Sequence, residues 1–140
     1  MVFAGWYAFT VGVLMIVQWA FFILTGQVPE LQSEPLRIAF HLAAEGVTAA
    51  LLIVAGVALL RSRRWARSVG LVAFGSLVYT SIVSPGYFAQ LGQWPLVAMF
   101  AALLASAVAC IVALMRIDAS PGAASGRDHA KSLRERDAHD

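Results

Sequence analysis

Uncharged apolar residues run along the chain in four blocks, and the polar positions that interrupt them fall at helical rather than alternating intervals. Phe3 to Leu24 holds no charge, Ile38 to Leu60 holds only His41 and Glu45 as ionisable groups, and Pro95 to Met115 holds none. From Ser68 to Met115 there is no charged residue at all, too long a stretch for one crossing. Ser84, Pro85 and Gly86, with Gly92, Gln93 and Pro95, supply the break. A bilayer core of about 30 Å takes roughly 20 residues of helix. The pattern therefore predicts an all-α protein, an integral membrane four-helix bundle with spans at about 3–24, 36–60, 69–87 and 95–115. Ser33, Glu34 and Pro35 mark the start of the second helix, and Pro95 the first turn of the fourth, where its missing amide hydrogen costs nothing.

Composition agrees with this reading. The 140 residues are 60% hydrophobic and 13% charged, far from the balance of a soluble domain. Ten Lys and Arg against eight Asp and Glu leave only +2, so nucleic acid is not an expected partner. One cysteine, Cys110, gives neither a disulfide framework nor a cysteine metal cluster. No Lys or Arg precedes the first span and no small-residue cleavage site follows it, so that span is expected to be retained.

Charge sets an expected orientation. Arg61, Arg63, Arg64 and Arg67 crowd the link between spans two and three, whereas the link between the first two carries Glu30 and Glu34, with Arg37 just after. The positive-inside rule puts the arginine link and both termini in the cytoplasm. Trp6, Tyr7 and Trp65 then fit an inner interfacial belt, and Tyr87 and Trp94 an outer one. Residues 1–116 make the membrane domain. Residues 117–140, rich in small and charged types and including His129 and His139, read as a disordered polar tail.

The helix faces carry two further signals. On the fourth span Ala98, Ala102, Ser106 and Cys110 recur every four residues beside a second ridge of Ala101, Ala105, Ala109 and Ala113. Helices in lipid associate by close packing, so this face is expected to receive another helix, of the same bundle or of a second copy. The other spans carry polar stripes: Glu34, His41, Glu45 and Thr48 on the second; Tyr7, Thr10, Gln18 and Thr25 on the first; Ser76, Tyr79, Thr80 and Tyr87 on the third. At 1.5 Å per residue, Glu45 lies about 13 Å from Leu36, Gln18 about 10 Å from Thr25, and Tyr79 about 12 Å from Tyr87. The three side chains are expected to meet at one level. Tyr87 to Trp94 is apolar and uncharged, either a short interfacial link or a lid.

Glu45 is the strongest chemical signal. An ionised carboxylate is costly in hydrocarbon, so this one must be protonated, paired or wetted by a cavity. His41 lies one turn earlier on the same face, within reach as an i, i+4 pair. The expected protein binds or transports a small cationic or amphipathic ligand, with proton coupling, at a site made of a proton-linked Glu45 modulated by His41 and lined by Gln18, Tyr79 and Thr80. The competing reading makes the same residues interhelical glue in an assembly subunit. A shared metal or a haem would need His41 from a second copy, since the spans hold no further His or Asp and no second Glu. Nucleophilic catalysis would need Ser76, Ser81, Ser84 or Thr80 beside His41, without a nucleophile motif around them. No cofactor is expected, and an enzyme is the third reading.

In chain length and span number the protein is similar to the small multidrug resistance transporters, which also use one intramembrane Glu to exchange protons for cations. Those proteins carry that Glu in the first helix, where this chain's only strongly polar residue is Gln18. The resemblance is architectural, and no functional residue is carried over from it.

Overall fold

The structure is a computed structural model and describes residues 2–90 and 92–116. The polar tail with His129 and His139, and the side chain of Tyr87, lie outside the described residues. The described chain forms α1 (Val2–Leu24), the one-turn α2 (Glu30–Ser33), α3 (Pro35–Leu60), α4 (Ala66–Val83), the short α5 (Pro85–Gln90) and α6 (Trp94–Arg116). Four helices are long and apolar enough to cross a membrane: α1, α3, α4 continued through α5, and α6. The chain thus has the make-up of a multi-pass membrane protein.

Helix boundaries follow local chemistry. Pro35 opens α3, but Glu34 makes no side-chain cap bond and its carboxylate pairs with Arg37 at 2.6 Å instead. α1, α3 and α5 end in the same way: the amide two residues beyond the cap bonds back across six residues (Gln27 to Phe22, Arg63 to Ala58, Gln93 to Phe88), and the intervening residue is left-handed. Glycine fills that position at Gly26 and Gly92, but Ser62 fills it at the end of α3.

The break after α4 differs from the expected one. Ser84 keeps helical dihedrals and its amide bonds to the Thr80 carbonyl, so helix runs past Ser84 into α5. Pro85 removes one rung of the ladder without ending the helix. The chain turns at Gly92, and the first half of the expected link or lid at Tyr87–Trp94 belongs to α5, docked on α6 through stacked Phe88 and Phe100 rings 5.7 Å apart.

Packing runs α1 to α3 to α4 to α6. The helices are tightest near the arginine link. Gly5, Gly12 and Gly56 let α1 and α3 touch backbone to backbone: a β-carbon on Gly12 would sit 2.8 Å from the Ala49 carbonyl oxygen. Phe74, Leu52, Leu59, Leu77 and Leu114 fill the core there, with the Tyr7 ring stacked 6.1 Å from that of Phe74. Arg67 Nε donates to the Leu114 carbonyl at 2.9 Å, satisfying an orphan acceptor in the last turn of α6.

Toward the opposite, acidic end the bundle loosens. The buried residues of α1 stop at Gly12, and those of α6 begin only at Ala107. Beyond those points the two helices carry bulkier side chains, Trp19 and Phe22 on one and Met99 and Phe100 on the other. Tyr7 marks the changeover, its hydroxyl donating to the Leu103 carbonyl across the α1–α6 seam at 3.3 Å.

Candidate functional site

Above that changeover the helices enclose a cavity of about 550 Å³ with contributions from α1, α3, α4, α5 and α6. Its volume is within the range of small-molecule sites. The wall is mostly apolar, with Leu14, Met15, Phe22, Leu77 and Leu103 among its residues, and its polar groups gather where α3 faces the end of α4.

Glu45 stands at that point. It is 8% exposed, on the cavity wall, and its Oε1 accepts from the Ser84 hydroxyl at 3.4 Å. That contact is long for an O–H···O bond. The Trp19 indole approaches the same carboxyl from α1, and the His41 imidazole acts on it from one turn away on α3. Trp19 also packs edge-on against His41, ring centroids 5.6 Å apart, which orients the imidazole.

Ser81 completes the polar wall. It is 3% exposed and borders the cavity, and its hydroxyl oxygen has no hydrogen-bond partner. An orphaned buried hydroxyl costs roughly 1–3 kcal/mol. Pro85, four residues on, has no amide hydrogen to offer the Ser81 carbonyl. The hydroxyl of this buried residue therefore lacks the partner that a packed core would give it, and its carbonyl lacks the amide that a regular helix supplies four residues on.

The sequence-predicted residues divide. Glu45, His41, Gln18 and Thr80 all border this cavity. Thr80 is nearly spent, since its hydroxyl donates to the Leu77 carbonyl at 3.1 Å. Tyr79 does not join them: it is 65% exposed and borders a separate shallow groove between α3 and α4, with Phe40, Val47 and Val72. The depth argument put Tyr79 at the right level, but its neighbour Thr80 takes the inward position on α4. Trp19 and the role of Ser84 were not anticipated. The signal for Trp19 was its place beside Gln18, one residue along the same turn. For Ser84 it is the proline after it, which interrupts the helix ladder without ending the helix.

Among the described residues no three His, Cys, Asp or Glu side chains gather as a metal site. Cys110 is buried against the core, and Tyr7 lies next to Ser106 and Leu103. At the acidic rim the cavity reaches Gln27, Glu30 and Arg37.

A family model matches residues 2–123, nearly the whole chain, under the description "Domain of unknown function (DUF8058)". The chain belongs to that family. No curated protein and no solved structure matches the chain. Membership covers all four spans and every residue of the cavity wall, so the cavity lies within the family's defining segment.

Proposed function

We propose that this protein binds a small amphipathic or cationic molecule in the cavity beside Glu45, with the carboxyl as the group that meets the ligand's charge or hydrogen-bond donor. The observation that carries this reading is the position of Glu45 on the wall of a cavity that a second polar group, the Ser81 hydroxyl, borders without a partner. Interhelical glue would close such groups against one another, because lipid offers no water to satisfy them. Here His41 supplies a second titratable group one turn away, so capture of a cation can be accompanied by release of a proton from the pair.

The proposed orientation follows from the arginine link, with Arg61, Arg63, Arg64 and Arg67 and both termini on the cytoplasmic side. The acidic rim then faces outward, and the cavity occupies the outer half of the membrane. The tightly packed arginine half lies between it and the cytoplasm. On this reading the protein takes its ligand from the outer leaflet or the outer side, and transport requires the glycine-packed seam of α1 and α3 to open.

Glu45→Gln tests the proposal. Wild-type protein in phosphatidylcholine vesicles should bind tetraphenylphosphonium saturably, and the variant should bind it at least tenfold more weakly with unchanged helix content. Equal binding by both would overturn the role of Glu45. A second reading, self-association or assembly through α6, is supported by the outward exposure of Ala98, Ala101, Ala102, Ala105 and Ala109, with Ser106 half-buried beside them. The two readings are compatible, since the cavity wall does not use these residues.

A further inference from the structure

We infer that the ligand is a lipid-like amphiphile that enters from the bilayer between α1 and α6, head first toward Glu45, Ser81 and Ser84. This rests on the proposed binding role of Glu45 and adds the chemical class and the route. The first observation is the shape of the seam. α1 and α6 meet at Tyr7, whose hydroxyl reaches the Leu103 carbonyl; from that level to the acidic end α6 has no buried residue, and α1 has none beyond Ala8, Val11 and Gly12.

The second observation is a pair of residues on either side of that seam which border the cavity and yet remain outwardly accessible. Leu14 on α1 is 58% exposed and Met99 on α6 is 38% exposed. At 1.5 Å per residue Leu14 rises about 10 Å above Tyr7, and Met99 about 6 Å above Leu103, so the two lie within a turn of the same level. An unbranched thioether and a leucine at such a place make an apolar, adaptable margin. They suit an alkyl or prenyl chain and offer nothing to a hydrated solute.

The third observation is the polarity at the far side. Ser81 is 3% exposed with its hydroxyl unpartnered, and the contacting pair Glu45 and Ser84 borders the same cavity. A single head group bearing a cation or hydrogen-bond donors would satisfy these groups together, while its chain passes Leu103 and leaves between Leu14 and Met99. A molecule polar throughout would leave the Leu and Met side of the wall unmatched, and one apolar throughout would leave Ser81 and Glu45 unpaired at full desolvation cost.

The experiment compares dodecyltrimethylammonium with tetramethylammonium on full-length protein in phosphatidylcholine vesicles. Trp19 is the reporter, with Trp6, Trp65 and Trp94 replaced by Phe, and affinity is referred to probe concentration in the bilayer. Entry is tested by joining Leu14→Cys and Met99→Cys with a short bismaleimide in a Cys110→Ala background, the unjoined double variant serving as the fold control. The expected result is saturable binding of the long-chain probe, at least tenfold weaker binding of the head-only probe, and at least tenfold slower binding once the bridge is made. Ser81→Ala should weaken the long-chain probe several-fold. If the head-only probe binds equally well, or the bridge leaves the rate unchanged, ligand comes from water and this inference fails while the role of Glu45 stands. If neither probe binds and Glu45→Gln changes nothing, both fail.

Discussion

A β-carbon on Gly56 would lie 2.7 Å from the amide nitrogen of Phe9, so α3 and α1 touch there with no side chain between them. In lipid this contact cannot draw on expulsion of water and rests on dispersion between closely apposed backbones. Gly56→Ala must push the helices apart, because the atoms it meets are backbone. We expect it to lower stability by about 1–3 kcal/mol. Gly75→Ala meets nothing within 4 Å and should be neutral or stabilising. Thermal unfolding in detergent micelles separates the two: a Gly56→Ala protein as stable as Gly75→Ala would refute the close-packed seam.

Ser62 occupies a left-handed position, φ 49°, where the ends of α1 and α5 have glycine. Both backbone bonds of the cap are intact, Ser62 to Leu59 at 3.1 Å and Arg63 to Ala58 at 3.0 Å, so the only penalty is the side chain's. Ser62→Gly should therefore raise stability by roughly 0.5–1 kcal/mol, less whatever the unfolded chain gains in freedom. The same substitution at Ser68, inside α4, should lower it. A fall in melting temperature for Ser62→Gly would count against the cap.

Much of this architecture was legible in the chain because lipid imposes a simple rule: apolar length makes a span, and charge ends it. The start at Pro35 and the arginine link could be read directly from that rule. Pro85 could not, since proline disturbs a membrane helix without ending it when neighbours re-satisfy the freed carbonyl. For the site, period and depth brought Gln18, His41, Glu45 and Thr80 to one cavity but could not choose between Tyr79 and Thr80, adjacent residues that differ by 100° around the axis. The small ridges of α6 show the same limit. Ala107, Cys110 and Leu114 face inward, a direction set by contact with α4 rather than by side-chain size.

Arg67 offers a test of how the arginine end is held. Its Nε donates to the Leu114 carbonyl at 2.9 Å and ties the start of α4 to the end of α6. Hydrogen bonds from charged donors contribute about 1.5–3 kcal/mol. Arg67→Ala should destabilise by an amount in that range, whereas Arg64→Ala, at an exposed position in the same link, should change stability by less than about 0.5 kcal/mol. Equal effects would mean that Arg67 acts only as a topogenic charge.

Glue and binding site predict different stabilities for Glu45→Gln. A carboxyl that holds helices together makes short bonds, and its loss costs 2 kcal/mol or more, on the order of the penalty for unpaired buried groups. The Ser84 hydroxyl is 3.4 Å from Glu45, the Trp19 indole approaches it from α1, and a cavity adjoins the carboxyl, so an amide, which keeps one accepting oxygen, should fit with a change below about 1 kcal/mol. Unfolding of the purified variant measures this directly. A large loss would favour glue.

Orientation and association can be read on intact cells and purified protein respectively. With both termini inside, Arg63→Cys should react with a membrane-impermeant maleimide only after the cytoplasmic face is exposed, and Gln32→Cys should react from outside, both at exposed positions. The reverse pattern would invert the protein and turn the cavity toward the cytoplasm. On α6, Ala102 faces outward on the small ridge, and a Trp there would hold a second helix away. Ala102→Trp is therefore expected to shift any dimer to monomer in a crosslinking or sedimentation assay. Met115→Trp, exposed on the same helix but about 140° around it from Ala102, should leave the state unchanged. If both variants associate as the wild type does, the ridge meets lipid and the protein functions without a partner on that face.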